Sequence, residues 1–153
     1  MRVYLAAPVF TQVQRAWNRT MANCLRRTVP NLCVILPQDF RPEGRFNDPR
    51  TYGEIFRRCL DGIRSCDALV AVLDGPDADS GVAFEMGVAH TIGKPIIGVR
   101  TDYRPGPEHG VNLLCSRACA YMVREFSFQE DPAAVAAAIG RRLRALAKKG
   151  KAT

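Results

Sequence analysis

Glu85 stands inside the stretch Asp79 to His90, DSGVAFEMGVAH, and from Gly81 to Gly93 no other residue carries a full charge. A carboxylate in so apolar a helix is either its one wetted position or an acid held in a pocket. Gly81, Glu85 and Val88/Ala89 share a face, because residues four apart stack along a helix. Small neighbours leave room on that face for a second molecule. Asp79 or Ser80 can cap the helix by accepting from its free backbone donors. The positive end of the helix dipole lies about one turn away and favours the ionised form of Glu85. An ionised, partly desolvated carboxylate is a usable nucleophile toward an electrophilic carbon.

Four further side chains have chemistry to offer. The Tyr4 hydroxyl can hold a carboxylate in place and tune its basicity, or the ring can simply pack in the core. Phe10 is either core or pocket wall. Gln38 carries both donors and acceptors, as recognition of a nucleobase requires, or is a solvated loop residue. Asn112 is either a helix cap or a polar contact. Asp74, Asp77 and Asp79 crowd one loop, with turn chemistry and capping as the plain account of them.

These residues need elements to position them. Apolar runs at 2–7, 32–36, 68–73, 95–100 and 119–123 predict strands. Helical spacing predicts helices over 11–28, 51–65, 80–92 and 131–148. Gly93-Lys94-Pro95 supplies a left-handed stop and then a residue that cannot continue a helix. Strands apolar throughout, alternating with helices, predict an α/β domain with a five-stranded parallel sheet and helices on both faces. Residues 1–153 form one domain on this reading, with 148–153 a frayed basic tail. In such a sheet ligands sit beyond the carboxyl ends of the strands, near the switch in strand order. That rule selects segments 7–10, 37–46, 74–80 and 101–112.

The net charge of +7 is diffuse, and its densest runs, Arg57-Arg58, Arg141-Arg142-Leu143-Arg144 and Lys148-Lys149-Gly150-Lys151, lack interleaved aromatics. No nucleic-acid surface is expected. Six scattered cysteines with no CxxC pair read as free thiols in a reducing cytoplasm. Cys115, Cys119 and His109 match no strong zinc spacing, so no metal is expected. No leader and no membrane-spanning run is expected. Dinucleotide and P-loop motifs and a nucleophile elbow are missing from the sequence, which argues against those phosphate sites and against serine hydrolase chemistry.

The order Val3-Tyr4-Leu5-Ala6-Ala7-Pro8 with Phe10, Asp79-Ser80-Gly81-Val82-Ala83-Phe84-Glu85-Met86-Gly87, Gly93-Lys94-Pro95-Ile96-Ile97, Thr101-Asp102-Tyr103-Arg104 and Gly110-Val111-Asn112-Leu113 resembles the nucleoside 2-deoxyribosyltransferases. The resemblance implies a flavodoxin-like fold and cofactor-free transfer of 2-deoxyribose between bases. It implies that Glu85 attacks the anomeric carbon, that Tyr4 positions Glu85, and that Asp79 binds a sugar hydroxyl. It places Ser80 and Gly81 at the substrate, and Phe10 and Gln38 in the base pocket. It implies a homo-oligomer, dimer-based and commonly hexameric, in which Asn112 completes a neighbouring subunit's site. Cys59 stands where several members carry an aspartate, and Leu114 where a methionine is common.

Two other readings share the fold. One is a nucleoside 5′-monophosphate N-glycosidase. Against it, Asp79 near a 5′-phosphate opposes a dianion, at ~4 kcal/mol for unit charges 4 Å apart at an effective dielectric of 20. The other is a nucleotide-sensing domain that has no need of Glu85.

Overall fold

The computed structural model describes residues 1–45, 48–106, 110–126 and 131–149. Five strands form one parallel sheet in the order β2-β1-β3-β4-β5. They are β1 (Arg2–Ala6), β2 (Cys33–Ile35), β3 (Ala68–Val72), β4 (Ile96–Arg100) and β5 (Tyr121–Arg124). The helices are α1 (Gln12–Thr28), α2 (Pro49–Ser65), α3 (Ser80–Thr91), α4 (Leu113–Ala118) and α5 (Pro132–Lys149). A 3₁₀ turn, Pro37–Asp39, follows β2.

The strands expected from the sequence are present, trimmed by a residue or two at their ends, except that β5 runs one residue further, to Arg124. Helix α4 lies in a stretch expected to be loop. The frayed-tail expectation falls mostly outside the described residues, and α5 itself runs to Lys149.

Side-chain alternation along the strands divides the core in two. Val3 and Leu5 pack with Met21, Leu25, Val70, Ile139 and Leu143, beneath α1 and α5. Tyr4 and Ala6 point the other way and pack with Ile63, Leu69, Ala71, Val82 and Met86, beneath α2 and α3. Tyr4 is therefore on the face that α3 covers. Its partners in register are Ile35 on β2 and Leu69 on β3. The order of connection reverses at β1, between β2 and β3, so the crevice expected at a switch point opens beside Tyr4.

The ends of the helices follow local chemistry. Thr11 and Gln14 form a reciprocal capping box at α1. Asp48 caps α2, Asp79 caps α3 through Val82 N–H at 3.0 Å, and Asn112 caps α4 through Leu114 N–H at 3.0 Å. Gly93 takes φ +71° after α3, the left-handed stop expected there.

The loop leaving β3 is tied to the exit of β4. The Asp74 carboxylate accepts from Thr101 N–H at 2.6 Å, the Thr101 hydroxyl at 2.5 Å and Asp102 N–H at 3.0 Å. The buried Arg100 guanidinium donates to the carbonyls of Leu73, Gly75 and Asp102. A buried guanidinium is tolerated when its donors are matched in this way. Gly110, at φ +80°, keeps this arrangement open, since a Cβ there would lie 2.8 Å from an Arg100 nitrogen.

Candidate active site

The Glu85 side chain reaches from α3 to the floor of a cleft of about 860 Å³. The loop after β1 supplies Ala7 to Phe10, and the segment after β2 supplies Pro37, Gln38, Phe40 and Pro42. Asp79 and Gly81 come from the start of α3. Three of the four segments selected by the topology rule thus meet here. A further wall comes from α2, which contributes Tyr52, Ile55, Phe56, Cys59, Leu60 and Ile63; of these only Cys59 is marked in the sequence, through the resemblance. Phe56 also meets Phe84 of α3, ring centroids 6.0 Å apart, at the cleft edge.

At the floor, the Tyr4 hydroxyl donates to Glu85 Oε1 at 2.5 Å. Tyr4 is fully buried, and Gly62 of α2 makes room for it: a Cβ there would lie 2.8 and 2.9 Å from two ring carbons. Cys59, one helical turn earlier, interacts with both Tyr4 and Glu85. Gly62 carried no signal of proximity to Tyr4, because the contact joins α2 to a strand far away in sequence; Cys59 is marked only through the resemblance, where relatives carry an aspartate.

Burial dominates the electrostatics of the site. It pushes the Glu85 carboxyl up to about 7, reinforced by the charge of Asp79 and opposed by hydrogen bonds from Tyr4 and Cys59. The same burial, with the adjacent carboxylate, raises the Tyr4 hydroxyl and the Cys59 thiol, so both keep their protons at neutral pH. Helix dipole alone predicts a fully ionised Glu85. Loss of solvent outweighs it, leaving the carboxyl divided between two protonation states near neutrality.

Asp79 is half-buried, caps α3 and lines the cleft. Ser80 is exposed at the first helical position and lies outside the lining; Gly81 lies within it. Phe10 is 75% exposed and forms wall rather than core. Of the three loop aspartates, Asp74 ties loops together and Asp77 accepts from Ala78 N–H, so only Asp79 faces Glu85.

Asn112 does not join this cleft. It lines a separate one of about 550 Å³, with Asp77, Arg100, Arg104, Gly110 and Leu113. Among the described residues no group of three or more His, Cys, Asp or Glu is placed to hold a metal; His109 lies outside them. Nor is any helix among them long and apolar enough to cross a membrane.

Fold and site together define a doubly wound α/β protein with a buried phenol bonded to a half-buried carboxylate at the switch point of its sheet. The sequence profile of the nucleoside 2-deoxyribosyltransferase family matches residues 3–131, and the chain belongs to that family.

Among solved structures, it is similar to the 2-deoxyribosyltransferase from Bacillus psychrosaccharolyticus, with 22% identity over 89% of this chain and 90% of that one, TM-score 0.68. It is similar to the 2-desoxiribosyltransferase from Leishmania mexicana, with 25% identity over 74% and 84%, TM-score 0.59. It also shares its fold with a CMP N-glycosidase from Clostridium botulinum, at 16% identity over 94% and 99%, TM-score 0.59. No significant match was found among curated proteins.

Proposed function

We propose that the protein transfers a 2-deoxyribosyl group from one nucleobase to another by double displacement through Glu85. The observation that carries this reading is the Tyr4–Glu85 hydrogen bond of 2.5 Å at the floor of a largely apolar cleft. A fixed carboxylate facing enclosed space suits attack on an oxocarbenium-like carbon.

In the first half, the free oxygen of Glu85 bonds to C1′ as the C1′–N bond breaks. The base departs with the bonding pair and takes up a proton from solvent at the cleft mouth. In the second half, a nitrogen of the incoming base attacks C1′, displaces the Glu85 carboxylate and gives up its own proton to solvent. Two inversions give net retention. Tyr4 holds the carboxylate, Asp79 accepts from a sugar hydroxyl, and Gly81 with Ser80 leaves the helix start open to the sugar. Phe10 and Gln38 contact the base. No cofactor enters the scheme.

The apolar lining keeps water from the glycosyl ester, which favours an incoming base over hydrolysis. The exposed Asn112, remote from its own Glu85 cleft, reaches the sugar in a neighbouring copy, so the working form is a homo-oligomer. Nucleosides and free bases are its partners, in the cytoplasm.

Hydrolysis of nucleoside 5′-monophosphates is the second reading, favoured by the exposed Ser80 hydroxyl beside the cap of α3. The half-buried Asp79 opposes it by repelling a phosphate. Incubation with deoxyinosine plus adenine, and separately with dAMP or CMP, distinguishes the two. Formation of deoxyadenosine supports transfer. Rapid release of base from the monophosphates without exchange would contradict it.

A further inference from the structure

A relay of side-chain amides runs beneath the wall of the cleft. Asn18, on α1, is 2% exposed. Its Nδ2 donates to the Pro8 carbonyl at 2.9 Å and to Gln38 Oε1 at 3.2 Å. Gln38 Nε2 in turn donates to the Arg15 carbonyl at 2.9 Å. Both ends of the relay are backbone carbonyls, which only accept. This fixes each amide in one orientation. Turning Gln38 over would set its NH₂ against that of Asn18 and its oxygen against the Arg15 carbonyl. Turning Asn18 over would set its oxygen against the Pro8 carbonyl. Arg15 closes the network, its Nη1 donating to the Val9 and Phe10 carbonyls at 2.7 and 3.0 Å.

We infer that Asn18 is a positioning residue for base selectivity: it locks the orientation of the Gln38 amide, and so the order of donor and acceptor shown to the base. The inference rests on the proposed transfer reaction. Gln38 lines the cleft while Asn18 lies behind it. After the relay is satisfied, Gln38 retains one acceptor site on Oε1, on the Asn18 side, and one N–H on Nε2, on the Arg15 side. A glutamine free to turn reads amino and oxo bases alike, because it exchanges donor for acceptor. A locked one discriminates between bases whose edges differ in this respect, such as adenine and hypoxanthine.

The test is competition between adenine and hypoxanthine for deoxyribose from deoxyuridine, with the full chain, read as the ratio of the two products. The wild type prefers one base. Asn18→Ala moves the ratio toward unity by about tenfold, the effect of uncoupling two residues in one hydrogen-bond network. Gln38→Met does the same, and the double variant adds nothing further. Asn18→Ser keeps a donor for Pro8 but is too short for Gln38. It takes the place of Asn18→Ala should that variant not fold, and the partly exposed Gln38→Met gives an independent reading. Base exchange with an unchanged ratio in a folded Asn18 or Gln38 variant overturns the inference alone. A wild type that exchanges no base overturns the transfer reading and the inference with it.

Discussion

The Tyr4 hydroxyl and Glu85 Oε1 meet at 2.5 Å, joining β1, the strand at the switch point of the sheet, to helix α3. This bond favours the ionised carboxylate, because a phenol donates to it and burial keeps the phenol protonated. Tyr4→Phe removes the larger of the two hydrogen bonds that oppose burial, that of Cys59 remaining, so Glu85 binds its proton more tightly. The acid limb of kcat/KM against pH moves to higher pH, and activity at pH 6 falls by about tenfold or more. A profile unchanged from wild type would show that Tyr4 only packs.

Glu85 also makes stability depend on pH. The unfolded chain titrates it in the ordinary carboxylate range and the fold at about 7. Below the unfolded value it is protonated in both states, and the fold has its full stability. As pH rises from that range the unfolded chain releases the proton that the fold retains, so stability declines, and the loss is complete once the folded carboxyl ionises above about 7. Glu85→Gln is therefore more stable than the parent at pH 8, by about 1–3 kcal/mol, and nearly equal at pH 4. Urea unfolding at the two pH values checks this.

Asp79→Asn keeps an Ncap acceptor but removes the charge that raises Glu85. The acid limb moves to lower pH, opposite to the Tyr4 variant. Discrimination against nucleoside 5′-monophosphates relaxes at the same time, as measured by the ratio of kcat/KM for deoxyinosine and dIMP. A shift in the same direction as Tyr4→Phe would contradict the electrostatic assignment.

Gly62→Ala in an exposed helix interior would stabilise by about 0.5–1 kcal/mol. Here the new methyl falls 2.8 Å from the Tyr4 ring. The expected result is a lower Tm, accompanied by loss of base exchange as Tyr4 is displaced from Glu85. A higher Tm with full activity would count against the packing described.

Cys59→Asp sets a second carboxylate near the first. Like charges disfavour ionisation, so Glu85 is protonated to higher pH and the acid limb follows. Cys59→Ser preserves a neutral donor and leaves the limb near its wild-type position.

The alternating apolar runs and helical spacings made the architecture legible, because the inner strands β3 and β4 are buried along their whole length and Gly93-Lys94-Pro95 marks the end of α3. Helix α4 was hinted at only by Asn112 as a possible cap, because its six residues are too few to show a period. Glu85 stood out as a lone charge among apolar neighbours, and Asp79 as its cap. Its partner Tyr4 lies 81 residues away, a pairing no local pattern reports. The same holds for Gly62 on the α2 wall, which matters only through the Tyr4 ring that the fold brings against it, whereas Cys59 is marked by the resemblance alone. By spacing alone Asn18 is one more polar residue on an amphipathic helix. Its burial follows from the meeting of two loops and is invisible in spacing. The protonation of Glu85 went astray because the helix dipole can be read locally, whereas desolvation depends on the assembled cleft.

The central claim is that Glu85 carries the sugar. Incubation with a 2′-fluoro-arabinosyl nucleoside slows breakdown of a glycosyl ester enough for intact-mass and peptide mass spectrometry. The account predicts one added fluoro-pentosyl group per chain, mapped to Glu85, released on adding free base and missing from Glu85→Gln. Base exchange by an active enzyme with no adduct, or with the label on another residue, would contradict it.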